Sequence, residues 1–272
     1  SNAPAFEMNE VHRTNATKDT YTGPGTDKVA STTYINTYDS SPTGTPYDDQ
    51  VEYAVPSPDG GSILACRRYD YSLSEVRFIY ITKLDASANI EWTYRVDPNY
   101  QNGYQNEDIL SVYQTTDGSI YMLGSFHGPS SQGSDLMIKK LTSSGTLVYT
   151  RFYNYSSSSN PYFVGAPRYA SMTQSSTGHI YVSFSLMNSS SGYVNGLMEI
   201  SSLGIPQWTS RIHEAYKVKM LTSGLIGVIT GTGVTLMDSD GNGMTEISLP
   251  AMATYDVIDQ GTAYYFVGSN GN

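Results

Sequence analysis

The sequence predicts an all-β fold, a five-bladed β-propeller of four-stranded antiparallel blades. A pattern of strand end, glycine turn and alternating apolar strand recurs along the chain, and it is clearest over residues 115–125. Its turn glycines are Gly60, Gly118, Gly178, Gly224 and Gly261, so the gaps are 58, 60, 46 and 37 residues. A repeat of roughly 40 to 60 residues made of short strands is typical of propeller blades. No stretch shows sustained apolar spacing at three and four residues, so we expect almost no helix.

The repeat also predicts where each blade lies. Four blades fall at about 51–96, 109–153, 169–212 and 217–249, and an incomplete fifth blade falls at 252–268. Residues 30–38 have the composition of a strand but lack partner strands beside them in sequence. We expect this strand to join the fifth blade and close the ring, because closure removes a free sheet edge. The sequence does not identify which segment forms the third strand of that blade.

The ends of the chain define one predicted domain. Ser1, Asn2 and Ala3 are typical of the residues that tag cleavage leaves behind, so the domain is predicted to span residues 4–272. No apolar run approaches the roughly 20 residues of a membrane helix, so no membrane insertion is expected.

Composition restricts the class of partner. Lys and Arg number 15 against 25 Asp and Glu, a net charge of −10. This balance argues against nucleic acid, which requires clustered cations to contact its phosphates. Charged residues form only 15% of the chain, while tyrosines number 24, which favours an exported protein in an extracellular, periplasmic or cell-surface location. The single cysteine, Cys66, lies in an apolar strand and is interpreted as a small buried hydrophobe.

Two short motifs give the chain a family resemblance. One is the Asp-Gly turn with its following strand, as in residues 115–125, and the other is the later turn of residues 83–92 (KLDASANIEW). Together they resemble the repeats of secreted bacterial β-propeller proteins, whose blades read T-x-D-G-G-Y-I-L-A-G and then K-L-D-x-x-G-N-x-x-W. The resemblance covers most of residues 30–268. It implies a propeller architecture and an exported or surface location, and it implies no activity.

The candidate ligand-binding residues are predicted to gather at one mouth of the central channel. Counting back from the turn glycines places one set just before the inner strands: Asp49, Glu107, Asp108, Arg168, His213 and Glu214. A second set falls on or beside the loops of the same face: Tyr71, Tyr104, His127 and Tyr193. Such carboxylates and the arginine could hold a cation or bind sugar hydroxyls, and loop tyrosines supply rigid contact area. Alternatively, the acids accept backbone N–H groups and the tyrosines pack on neighbouring blades.

A weak cation site is the one cofactor-like feature. Asp238, Asp240 and Asn242 place oxygens at alternate positions, with a glycine at the sixth, as in a calcium loop. The twelfth position is Leu249 instead of a glutamate, and the segment falls where the other blades have a hairpin turn. The favoured interpretation is therefore a turn, with weak binding of a divalent cation as the alternative. No other cofactor is predicted.

The functional hypothesis is a binding or interaction module whose glycan or protein ligand lies at the channel mouth. One alternative is a glycan-processing hydrolase that uses Asp49, Asp108 and Glu214 as carboxyl pairs. A second alternative is a structural spacer without a ligand. No nucleophile motif, zinc motif or phosphate-binding glycine loop is present, so an enzyme is the less favoured class.

Overall fold

The computed structural model describes residues 9–11, 37–39, 47–70, 76–96, 107–127, 134–153, 167–188, 192–243, 245–249, 253–261 and 263–269. Every regular element in these ranges is a β-strand, and the strands pair antiparallel. They contain no helix, and therefore no helix long and apolar enough to cross a membrane. The predicted all-β class is confirmed.

Four sheets of four strands follow one another along the chain, each a simple up-and-down meander. We number them as blades 1 to 4. Blade 1 contains β3 (Tyr47–Pro56), β4 (Ser62–Asp70), β5 (Val76–Leu84) and β6 (Ile90–Val96). Blade 2 contains β7 (Glu107–Gln114), β8 (Ile120–His127), β9 (Ser134–Leu141) and β10 (Leu147–Tyr153). Blade 3 contains β11 (Pro167–Gln174), β12 (Ile180–Asn188), β13 (Gly192–Ile200) and β14 (Pro206–Ile212). Blade 4 contains β15 (Lys217–Met220), β16 (Ile226–Thr230), β17 (Gly233–Met237) and β18 (Thr245–Ser248).

Two shorter sheets complete the described structure. The C-terminal hairpin consists of β19 (Ala253–Asp259) and β20 (Tyr264–Ser269). The N-terminal pair consists of β1 (Asn9–Val11) and β2 (Thr37–Asp39), and Tyr38 of the expected closing strand pairs there with Glu10. The rest of the segment 30–38 lies outside the described residues. Its pairing with the fifth blade therefore stays a prediction.

The repeated turns share one backbone geometry. In the first hairpin of blade 2, the Thr115 N–H donates to the Ser119 carbonyl and the Gly118 N–H donates to the Thr115 carbonyl, both at 2.9 Å. The same pair of bonds recurs in the equivalent turns of blades 1, 3 and 4. Gly118 has φ of +83°, a conformation that costs an L-residue energy and costs glycine nothing. This requirement explains why the turn glycines are the most regular signal in the sequence.

The apolar core lies between blades. On the second strand of blade 2, Ile120 and Met122 pack against blade 1, while Tyr121 and Leu123 pack against blade 3. All four side chains are buried, because this strand is covered on both faces. Similar clusters join blade 3 to blade 4, and blade 4 to the C-terminal hairpin. We call each such contact between successive sheets a seam.

An aromatic ring on the outer strand reinforces three of the seams. A Cβ built on Gly145 would lie 2.7 Å from the Trp92 ring, one on Gly204 would lie 2.9 Å from Tyr149, and one on Gly241 would lie 2.7 Å from Trp208. In each case the ring belongs to one blade and the glycine to the last turn of the following blade. Each glycine has positive φ, so both the backbone and the available space exclude a side chain there.

Blades 1 to 3 begin a few residues before the predicted bounds of 51, 109 and 169. Their first strands begin at Tyr47, Glu107 and Pro167. Parts of the predicted loops on the ligand face are strand where the structure describes them, namely residues 68–70, 126–127, 187–188 and 192–195. The second and third strands keep their pairing farther than the turn signals suggest, with His127 opposite Ser134. Antiparallel pairing satisfies backbone N–H and C=O groups that a loop would leave to water, which favours the longer strands.

Candidate functional site

The first strands of the blades surround one central cavity of about 1250 Å³. Most of its lining comes from β3, β7, β11, β15 and β19, one strand from each of five described sheets, and Tyr216, Leu221, Thr222 and Gly231 of blade 4 add to it from outside these strands. The lining residues that carry polar or aromatic groups include Tyr53, Ser111, Tyr169, Ser171, Thr173, Tyr216, Lys217 and Lys219. A cavity of this size, mixed in polarity, is large enough for a small-molecule ligand.

Side-chain hydroxyls join the first strands of blades 3 and 4. Ser171 Oγ accepts the Val218 N–H at 3.4 Å, and Thr173 Oγ1 accepts the Met220 N–H at 3.1 Å. These N–H groups lie on the free edge of β15, since its other edge pairs with β16. The bonds satisfy that edge and hold β15 in place along the cavity.

Two lysines on β15 form the cationic part of the cavity lining, which also contains Asp259. Lys217 and Lys219 are two residues apart, so they share one face of the strand, and both line the cavity. Lys217 Nζ lies 2.8 Å from Asp256 Oδ2, and Lys219 Nζ lies 2.6 Å from Asp256 Oδ1. Burial opposes ionisation of Asp256, but the hydrogen bonds from the two lysines outweigh it and lower the pKa of the carboxyl.

A tyrosine pair lies at one end of the cavity. The rings of Tyr169 and Tyr216 meet edge to face, with centroids 4.8 Å apart, and both side chains are exposed. Thr254 lies in the same lining, and its buried Oγ1 has no hydrogen-bond partner among the described residues. The exposed rings give this end a stacking surface, whereas the Thr254 hydroxyl is buried. We call this end of the cavity the tyrosine end.

Two of the predicted acids have described side chains, and each has a partner in the protein. Glu214 Oε2 accepts the Gly231 N–H at 2.6 Å, which is the backbone-binding alternative raised from the sequence. Asp108 forms an ion pair with Arg67 of the neighbouring blade. Neither acid is part of the cavity lining. His213 lies beside Glu214 and is exposed, and its carbonyl accepts a hydrogen bond from Asn195 Nδ2.

Other predicted site residues are described by strand position alone. Asp49 lies on β3, Glu107 on β7 and Arg168 on β11, so these three lie within the first strands and not before them. His127 lies on β8 and Tyr193 on β13, which corrects their assignment to loops. The structure therefore places these residues along extended, paired backbone.

Tyr71 and Tyr104 lie outside the described residues. Their proposed contact with a ligand stays a prediction.

The predicted calcium loop has the geometry of a turn. Asp238 Oδ1 accepts the Asp240 N–H at 3.0 Å and the Asn242 N–H at 2.8 Å. Asp85 makes the same pair of bonds in blade 1, to Ser87 and Asn89, both at 2.8 Å. Within the described part of the chain, no three His, Cys, Asp or Glu side chains are grouped to hold a metal ion. Cation binding here stays a prediction, and the backbone contacts are sufficient to explain why Asp238 is present.

Lys217, Lys219 and Asp256 were missed by the sequence prediction. Lys-Val-Lys is an alternating pattern, and alternation predicts that both lysines lie on one face of the strand. It does not predict that they line the cavity, since Val218 between them lines it too. Their partner Asp256 is 39 residues from Lys217, and local sequence gives no indication of that pairing.

Comparisons with known proteins establish the fold. The sequence matches no known protein family and no curated protein. The structure is similar to an α-L-arabinanase of Penicillium chrysogenum solved with arabinobiose, with a TM-score of 0.50, 14% identity, and coverage of 72% of this chain and 64% of that one. It is also similar to a protein of unknown function from Dyadobacter fermentans, with a TM-score of 0.51, 12% identity, and coverage of 77% and 74%.

A gluconolactonase of Xanthomonas campestris is a third structural neighbour, with a TM-score of 0.47, 14% identity, and coverage of 81% of this chain and 69% of that one. This chain spans less than two thirds of the arabinanase. The arabinanase is a β-propeller protein. At identities this low the similarity concerns architecture alone, and the class it defines for this protein is the β-propeller.

Proposed function

We propose that this protein is a binding module that holds a small, hydroxyl-rich ligand such as a saccharide in its central cavity. The observation that carries the proposal is the lining itself, where the tyrosine end adjoins serine, threonine and lysine side chains from several strands. Aromatic faces stack on sugar rings while hydroxyl and ammonium groups bond their oxygens. Strands packed on both faces hold these groups in fixed positions, so little ordering entropy opposes binding.

The acids support binding over cleavage. A glycosidase requires two carboxyl groups facing its substrate. Asp108 is paired with Arg67 and Glu214 with the Gly231 N–H, and neither is among the lining residues of the cavity. These contacts occupy two of the three acids named for hydrolysis, and a catalytic role for Asp49 stays a prediction. The binding site is therefore proposed deeper in the channel than the sequence suggested, between the tyrosine end and the two lysines.

A glycan array followed by affinity measurements tests this function. We expect glycans that bind the protein to bind the Tyr216→Ala variant about tenfold more weakly, which corresponds to about 1.4 kcal/mol. Tyr265→Ala is the matched control, because Tyr265 is also an exposed tyrosine but lies on β20, outside the cavity lining. An array without hits, or hits that Tyr216→Ala retains in full, would contradict the proposal.

The closed five-bladed ring and an exported location are part of the same proposal. The C-terminal hairpin has two strands where blades 1 to 4 have four, and it leaves Tyr265 and Val267 exposed on β20. Pairing of residues 30–38 with this hairpin would cover a free edge. Removal of residues 1–40 should then speed hydrogen exchange at β20 amides while β8 amides keep their protection, and equal rates at β20 in both chains would count against closure.

Export is supported by composition, namely abundant tyrosine and few charges in a chain of net charge −10. Fractionation of cells that express the full-length natural protein tests it. Recovery in the cytosol would contradict it.

A further inference from the structure

The lysines of the cavity suggest what kind of ligand the proposed module takes. We infer that the ligand carries a carboxylate, as a uronic acid does, and that Lys217 and Lys219 receive it. This inference rests on the proposed function and adds the chemical class of the ligand. It depends on three properties of the lysines: their position, their spare hydrogen-bond donors and their charge.

The lysines lie beside the proposed ligand space and are partly accessible. Both residues line the cavity, and their side chains retain 42% and 34% of their accessible surface. Asp256 comes from the neighbouring sheet and reaches them from the side of β19, without itself being part of the lining. The carboxylate therefore holds the two ammonium groups close together while leaving their cavity side open.

The lysines also have donors to spare. Each ammonium group has three N–H bonds. Lys217 donates to Asp256, and Lys219 donates to Asp256 and to the Val257 carbonyl at 2.9 Å. Within the described residues these are the three bonds that the pair makes, so three of the six N–H groups remain for solvent or a ligand. Two adjacent ammonium groups with free N–H donors can donate hydrogen bonds to both oxygens of one carboxylate.

The charge of the cluster selects an anion of charge −1. Two lysines and one aspartate leave an excess of +1 at a partly enclosed site, and a single carboxylate would make the cluster neutral. Asp259, the carboxylate that does line the cavity, lies three residues beyond Asp256 at the end of β19 and accepts the Thr222 and Gly261 N–H groups. A uronic acid combines the required single charge with the ring that the tyrosine end can stack against.

Isothermal titration calorimetry with D-glucuronate and D-galacturonate, against D-glucose and D-galactose, tests the inference. The neutral sugars have the same rings without the charge, and inorganic phosphate serves as an anion without a ring. We expect the uronates to bind at least tenfold more tightly than either the neutral sugars or phosphate. Phosphate binding as tight as uronate binding would overturn the assignment of a carboxylated sugar.

Variants with opposite expected effects separate a binding role from structural damage. Lys219→Gln should remove the preference for uronates, whereas Asp256→Asn should strengthen uronate binding because it raises the local charge to +2. A merely damaged cavity would weaken binding in both variants. Lys140→Gln is the control, since Lys140 bonds the Ser202 carbonyl away from the cavity and the variant should bind as the unmodified protein does.

The outcomes distinguish this inference from the function on which it rests. Equal affinity for charged and neutral sugars would overturn the inference that the ligand carries a carboxylate, but the proposed function as a saccharide-binding module would stand. Glycan-array hits that depend on Tyr216, combined with no uronate binding, would do the same. If no array hit depends on Tyr216 and no uronate binds, the proposed function and the inferred carboxylate ligand are both overturned.

Discussion

The seams between the blades are built in two different ways. At the seams between blades 1 and 2, 2 and 3, and 3 and 4, an outer-strand ring lies against a glycine of the following turn, as Trp92 does at Gly145. At the seam between blade 4 and the C-terminal hairpin, the position of the ring is taken by Thr245, which is exposed. That seam carries the ion pairs of Lys217 and Lys219 with Asp256, on the inner strands. The seam between blades 1 and 2 has an ion pair as well, between Arg67 and Asp108, but Asp108 and Arg67 lie outside the cavity lining.

The difference shows how function and stability divide between the seams. Apolar ring contacts at the outer edge stabilise the fold without placing charge anywhere near the channel. Ion pairs that remain partly exposed stabilise weakly, but they keep ammonium groups available at the cavity. The seam with the weaker means of attachment is therefore the one that lines the proposed ligand site with charge.

The largest expected effect comes from filling a ring-covered glycine. Gly145→Ala should lower the free energy of unfolding by about 3 kcal/mol, because it adds a clash with Trp92 to the cost of positive φ. Gly224→Ala is the matched control, since Gly224 has the same φ of +81° but no neighbour within 4 Å of the added Cβ. The control should lose only about 1 kcal/mol. Urea unfolding of both variants measures the difference.

A double variant sharpens this result. Trp92→Ala removes the ring that the new methyl group meets, so Gly145→Ala should cost much less in that background than alone. Equal losses for Gly145→Ala and Gly224→Ala, or strictly additive losses in the double variant, would show that the ring does not exclude a side chain at this seam.

The charged seam should respond to acid. Because the pKa of Asp256 in the folded protein lies below its ordinary value of 3.8, its ion pairs stabilise the fold fully above that pH and are lost as the pH falls through the lower folded value. Asp256→Asn should cost about 1 kcal/mol at neutral pH, in the range of partly exposed ion pairs. The variant should then lose less stability than the natural chain between neutral pH and pH values below 3.8.

Urea midpoints across this pH range provide the measurement. Parallel acid profiles for the two chains would mean that Asp256 does not stabilise the fourth seam by its charge. Lys140→Gln, which leaves that seam unchanged, should reproduce the natural profile.

The smallest effect concerns the first blade. Ala88 occupies the turn position held by Gly145, Gly204 and Gly241 in the later blades, and its φ of +64° is unfavourable for alanine. Ala88→Gly should stabilise the protein by about 0.5 kcal/mol, since relief of that strain exceeds the entropy that glycine adds to the unfolded chain. A shift of the urea midpoint upward checks the sign, and a downward shift would show that the methyl group makes contacts worth more than the strain.

The sequence was sufficient for the fold wherever one residue type satisfies a local backbone requirement. Positive φ at Gly118 and its equivalents made the turns visible, and alternation after each turn gave the strands. The seams were not predictable in this way, because Trp92 meets a glycine 53 residues later and nothing local selects that partner. The candidate site shows the same division. Asp108 and Glu214 were found by their position in the repeat, but their partners Arg67 and Gly231 lie elsewhere in the chain.

The placement of the core between sheets also bears on how such a chain can fold and diverge. A single blade has two apolar faces and buries neither until a neighbour forms, so one blade is not a stable unit by itself. Stability then grows one interface at a time, as in a one-dimensional array, and order should propagate outward from whichever pair forms first. Gain or loss of a whole repeat changes the number of interfaces but preserves their type. Such a chain can therefore tolerate the gain or loss of a repeat, whereas a protein with one shared core cannot.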